Sequence, residues 1–83
     1  MVKKLYVVDL CYYTEENVPE CGATIFIRSD KDLENMPKHF IAENVFVQEA
    51  MEANDCEGIG NVFEISEEEY EFYKDDETVL VEM

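Results

Sequence analysis

Four side chains of this 83-residue chain have the chemistry to hold a soft metal: Cys11, Cys21, Cys56 and His39. Structural zinc takes such ligands in closely spaced pairs, because a tight turn must present two of them to one ion. No C-x-x-C pair occurs here and the other spacings match no zinc pattern, so the cysteines are expected to be small structural thiols. Asn54-Asp55-Cys56-Glu57-Gly58 begins like a calcium loop, but it lacks the alternating oxygen ligands and the closing glutamate. No metal and no other cofactor is expected. His39, the single histidine, precedes Phe40 and Ile41 and is expected to pack or face solvent. There is no nucleophile elbow and no glycine-rich phosphate loop. No catalytic residue is assigned, and the expectation is a protein that is not an enzyme.

Carboxylates are the chemistry that remains. The chain has 21 acids against 6 bases, a net charge of −15. Residues 1–42 hold seven acids and five bases; residues 43–83 hold fourteen acids and Lys74 alone. Self-repulsion of this size opposes compaction and exceeds what solubility demands. The densest stretch is SEEEYEFYKDDE, residues 66–77. At 100° per residue, a helix over 67–75 places Glu67, Glu68, Glu71 and Asp75 within an arc of about 100°. Tyr70 and Tyr73 then lie on the opposite side, and Phe72 borders the acids. Glu67 to Glu69 sit well at a helix N-terminus; Asp75 and Asp76 stand where a helix prefers bases. Glu49, Glu52 and Asp55, at i, i+3 and i+6, form a second row if the preceding helix holds.

These acids define the candidate partner-binding residues: Glu67, Glu68, Glu71, Phe72, Asp75, Asp76 and Glu77, with Glu49, Glu52, Asp55 and Glu57. A row of fixed carboxylates has the charge pattern of a nucleic-acid backbone, which basic grooves bind. Such a row can occupy the same groove, with association steered by charge. The competing reading is a solvated acidic face with no partner. Phe72 is the best aromatic interface candidate, set against simple packing. Direct nucleic-acid binding is not expected, because the six bases form no cluster. Arg28 and Lys31 are expected to pair with nearby Asp30, Asp32 and Glu34.

The elements that must position these groups follow from local pattern. Residues 3–13 and about 22–28 are β-branched and aromatic and predict a hairpin across a turn at 15–20. Ser29-Asp30-Lys31-Asp32 has the look of a helix start, with Pro37 in the first turn of the next helix. Residues 38–54 predict a helix whose apolar residues fall on three stripes, so it is covered on several sides or bends near Asn44. Residues 54–60 predict a loop and 61–65 a strand. Ser66 to Glu69 form a capping box for the helix 67–75, and 78–82 is a last strand. The order ββαβαβ gives one α+β domain: a four-stranded antiparallel or mixed sheet with one longer and one short helix. Tyr6, Tyr12, Tyr13, Phe26, Phe40, Phe46 and Phe63 are expected in the core or on a sheet face. No apolar run is long enough to span a membrane. An odd cysteine count without a secretion signal points to the cytoplasm. Exposed strand edges leave a homodimer open.

In length, one-domain economy and the acidic half around SEEEYEFYKDDE, the chain resembles the small acidic proteins with which bacteriophages disarm host defences. That class includes DNA-mimicking restriction inhibitors, anti-CRISPR proteins and acidic inhibitors of ribonuclease toxins. The resemblance implies stoichiometric, non-catalytic binding to a basic nucleic-acid-handling protein of the host, in the host cytoplasm. An adaptor or subunit that docks by a sheet edge or a hydrophobic contact, its charge serving solubility, is the alternative.

Overall fold

The computed structural model describes residues 2–83. Ten residues of β1 (Lys4–Tyr13) pair antiparallel with β2 (Pro19–Ser29). The turn between them is closed by Thr14, whose carbonyl accepts from Asn17 and whose hydroxyl accepts from the Val18 amide. Asn17 takes a φ of 62°, a left-handed conformation that asparagine tolerates better than most residues. Strand β2 therefore starts three residues before the expected position. One residue of β2 is extra between the pairs Leu10–Ala23 and Cys11–Cys21, so the strand bulges at Gly22. A Cβ there would lie 2.8 Å from the Cys56 sulfur and 2.9 Å from the Tyr12 ring, which accounts for the glycine.

After β2 the chain makes a turn and not the helix that Ser29 to Asp32 suggested. The Ser29 hydroxyl accepts from the Lys31 amide and the Asp32 carboxylate accepts from Glu34, so these short polar side chains stabilise a bend. Leu33 is carried back into the core. Pro37 is the N-cap of the first helix and not part of its first turn.

The predicted helix 38–54 is two helices, α1 (Lys38–Ala42) and α2 (Val45–Ala53), realising the bend at Asn44. Asn44 is extended, and its side chain accepts from the amides of Phe46 and Val47, so it starts a second helix where one would have continued. The break explains the scattered stripes. Ile41, Val47 and Ala50 turn inward, while Phe40, Val45 and Phe46 stay exposed. Helix α2 ends in a Schellman turn, with Cys56 N–H on the Met51 carbonyl and Asp55 N–H on that of Glu52. Asp55 holds the left-handed position at φ 55°, where glycine is usual.

Strand β3 (Gly58–Ile65) begins three residues earlier than predicted and pairs antiparallel with β1. Helix α3 (Glu67–Tyr73) is shorter than predicted, and β4 (Leu80–Glu82) keeps only the last three residues of its expected span. Strand β4 runs parallel to β2, so the sheet is mixed, with order β3-β1-β2-β4. The fold is α+β, with order ββααβαβ.

The sheet has two unlike faces. Tyr6, Val8 and Leu10 of β1, Ile25 and Ile27 of β2, and Val81 of β4 pack with Leu33, Ile41, Val47, Ala50 and Cys56 in one cluster beneath α1 and α2. The Tyr6 hydroxyl donates to the Lys31 carbonyl at 3.0 Å, satisfying the polar end of a fully buried ring. The other face carries Leu5, Val7, Phe26, Phe63 and Ile65, aligned by the pairs Leu5–Ile65, Val7–Phe63 and Val7–Phe26. Among the described residues, α3 and the turn after it lie over that face.

Candidate functional site

Helix α3 begins with the expected capping box: the Ser66 hydroxyl accepts from the Glu69 amide at 3.1 Å, and the Glu69 carboxylate accepts from the Ser66 amide at 3.2 Å. None of its residues is buried. It is tied to the sheet by two side chains. Tyr70 meets Phe26 edge to face, with ring centroids 5.0 Å apart, an arrangement worth about 0.5–1.5 kcal/mol beyond the area it covers. Glu67 receives two bonds from the Arg28 guanidinium, at 2.9 and 3.0 Å. Arg28 also reaches Glu82 on β4 at 3.2 Å. These bonds, that to Glu67 above all, raise the guanidinium pKa further. So Arg28 does not pair with its sequence neighbours Asp30, Asp32 and Glu34. It pairs with residues that the sheet brings beside it. Lys31 makes no ion pair among the described residues.

The candidate acids divide by what they already do. Glu67 is held by Arg28, and Glu71 by Lys74 at 2.9 Å. Asp75 is off the helix, because α3 stops at Tyr73. Its carboxylate accepts from the Glu77 amide and the Thr78 hydroxyl and so closes the turn into β4. The four-carboxylate helical arc is therefore reduced to Glu67, Glu68 and Glu71. Glu68, Asp76 and Glu77 are exposed and make no ion pair among the described residues. Phe72 is 81 % exposed and touches Tyr73 edge to face, so packing does not account for it.

The second acidic group does not join the first. Glu49 and Glu52 are on α2, which covers the opposite face of the sheet. Asp55 leaves the helical row at its left-handed φ. Glu57 donates its amide to the Cys11 carbonyl, at the end of β1 away from the Leu5–Ile65 pair that leads into α3. One flat partner could not cover both groups.

Between α3, the turn after it and the open sheet face lies a cleft of about 710 Å³. Val7, Phe26, Phe63 and Ile65 form an apolar floor; Tyr73 and the acids Glu64, Glu69, Asp75 and Glu77 stand along its margin. Phe63 is 53 % exposed there. Of the seven aromatics expected in the core or on a sheet face, Tyr6 and Phe26 are buried and Tyr12, Tyr13 and Phe63 lie exposed on strands, while Phe40 and Phe46 are exposed on α1 and α2. Exposed aromatics on a small domain are informative mainly where they line a concavity. Local patterning missed the cleft and Glu69's place in it. One sequence signal did exist: from Leu5 to Tyr13 β1 is apolar on both faces apart from Asp9, yet only one long helical stretch was available to cover them.

The thiols are apart from this site. Cys11 and Cys56 are buried and Cys21 is exposed, so the expectation of small buried thiols holds for two of the three. Burial pushes the Cys56 thiol pKa up, with smaller contributions from Cys11, Cys21 and Asp55. Among the described residues no helix is long and apolar enough to cross a membrane.

Comparison with protein-family models, with curated proteins and with solved structures finds no match for this chain. Fold and site together define a small, strongly acidic α+β domain with one covered and one open sheet face.

Proposed function

We propose that the protein is a non-catalytic inhibitor or modulator that binds a basic nucleic-acid-handling protein in the cytoplasm and obstructs its nucleic-acid site. Nucleases, restriction enzymes, CRISPR effectors and ribonuclease toxins are the target classes with the right surface, in keeping with the resemblance to phage host-defence inhibitors. The observation that carries this reading is the charge: fourteen acids against one base over residues 43–83, with Glu68, Asp76 and Glu77 exposed and without an ion pair among the described residues at α3 and its following turn. Fixed carboxylates held by a small scaffold take the place of phosphates in a basic groove, and the released counterions make the binding salt-dependent.

The test is binding to a panel of basic nucleases and effectors across a salt series, with displacement of their nucleic acid as the readout. Glu68→Lys with Asp76→Lys removes two free carboxylates without touching the Arg28 or Lys74 pairs or the Asp75 turn. Steep weakening by salt and by this double variant supports the proposal. Full binding by the double variant in high salt sinks it.

A second reading is favoured by one observation, the exposure of Phe72. It is an adaptor or subunit that docks through Phe72 or through the edge of β3, with the charge serving solubility. It predicts binding that persists in high salt and is lost with Phe72→Ala.

A further inference from the structure

The cleft on the open sheet face has a composition that neither the acids nor the aromatics have alone. We infer that it is the anchor site for a basic segment of the partner, one bulky apolar side chain seated between lysines or arginines. The inference rests on the proposal of a basic partner and says where such a partner is gripped.

The floor is the first part of the argument. Val7, Phe26 and Phe63 belong to three adjacent strands and meet through the pairs Val7–Phe26 and Val7–Phe63. They form a continuous apolar patch at the base of a concavity of about 710 Å³, inside the usual range for ligand sites of roughly 300–1,000 Å³. Helix α3 closes one end through Tyr70 on Phe26 and leaves Phe63 half uncovered. An apolar side chain placed against Phe63 would remove more of that ring from water.

Charge selects the occupant. Four acids line the cleft: Glu64 is paired with Lys4 at 3.5 Å, whereas Glu69, Asp75 and Glu77 make no ion pair among the described residues. The cations of this side of the molecule are committed: Lys4 to Glu64, Arg28 to Glu67 and Glu82, Lys74 to Glu71. An apolar segment flanked by acids would set like charges together, whereas flanking lysines or arginines complement them. The same argument excludes a second copy of the chain, since each copy carries −15. An aromatic or aliphatic anchor ringed by opposite charge is the arrangement that concentrates binding energy at protein interfaces.

The experiment is a titration of ¹⁵N-labelled protein at low salt with three synthetic peptides: Lys-Arg-Phe-Arg-Lys, Lys-Arg-Ser-Arg-Lys and Gln-Gln-Phe-Gln-Gln. The first is expected to shift the amide signals of Val7, Phe26 and Phe63 and to bind about five- to tenfold more tightly than the second, the effect of one seated ring. Phe63→Thr should erase that advantage while leaving the serine peptide unchanged. Phe63 is 53 % exposed, so the replacement leaves the core filled, and an unchanged dispersed spectrum verifies the fold. Equal binding of the two basic peptides, with shifts confined to Glu68 and Asp76, overturns the cleft and spares the basic-partner proposal. Equal binding of the glutamine peptide and the first overturns the basic partner and leaves an apolar site. Binding by none of the three overturns both.

Discussion

Asp32 shows how a single side chain on the surface can carry a pH dependence. Its carboxylate accepts from the Asn35 amide group at 2.6 Å and from the Glu34 backbone at 3.2 Å. The bond from Asn35, foremost among these, lowers its pKa below the usual aspartate range. A carboxylate with a depressed folded value stabilises the fold above its unfolded value, and that contribution disappears as pH falls through the folded one. Asp32→Asn is therefore expected to be less stable than the parent at neutral pH in urea melts. The gap should close in acid; a gap that stays constant with pH refutes this account. The thiols make a separate test. Cys21 is exposed, while Cys11 and Cys56 are buried and burial pushes the Cys56 thiol up. Under native conditions at mildly alkaline pH one thiol should react rapidly with a disulfide reagent and two slowly, and urea should make all three react alike. Three fast thiols in the native protein would contradict the packing. The cysteine spacing excluded a zinc pattern, but it could not say which thiol would be exposed, because that depends on the bulge at Gly22 and on how Cys56 returns to the hairpin.

Among the elements, those set by local chemistry were the legible ones. The Ser66–Glu69 box and the break at Asn44 depend on residues within four positions of each other; the box is present as expected, and of the two readings of 38–54 it is the bend that occurs. The end of α3 is less legible: the pattern predicts a helix through Asp75, but its carboxylate closes a turn with Glu77 and Thr78. The Asp55 terminus of α2 was not legible either, because glycine usually fills the left-handed position. That substitution has a measurable consequence. Relief of a left-handed aspartate should make Asp55→Gly more stable by about 0.5–1 kcal/mol, read from the midpoint of chemical unfolding. If the variant is instead destabilised, the carboxylate does more for the turn than its geometry suggests. The cleft lies beyond local reading altogether. It exists because β3 pairs with β1 from more than forty residues away and because the chain crosses the open face before β4, and neither of these is close in sequence to the hairpin.

At the scale of the whole molecule, charge opposes folding and, on the proposed function, favours binding. Added salt screens the mutual repulsion of an excess of fifteen negative charges, so the melting temperature should rise between about 20 and 300 mM sodium chloride, as the Debye length falls from about 20 Å to about 6 Å. Affinity for a basic partner should fall over the same range. A melting temperature that does not move would mean that the fold disperses its acids well enough for repulsion to be negligible. The sheet adds a different asymmetry. Strand β4 is three residues long and joins β2 in parallel, and the contact between Arg28 and Glu82 spans 54 positions of the chain. Closing so long a loop for so short a ladder makes β4 a late addition in folding and an early one to lift. The amide of Phe26 donates to Val79 beside β4, whereas those of Ile25 and Ile27 face β1 by strand alternation. Deuterium should therefore enter β2 every second residue, Phe26 ahead of its two neighbours, so that one strand of this protein keeps two clocks.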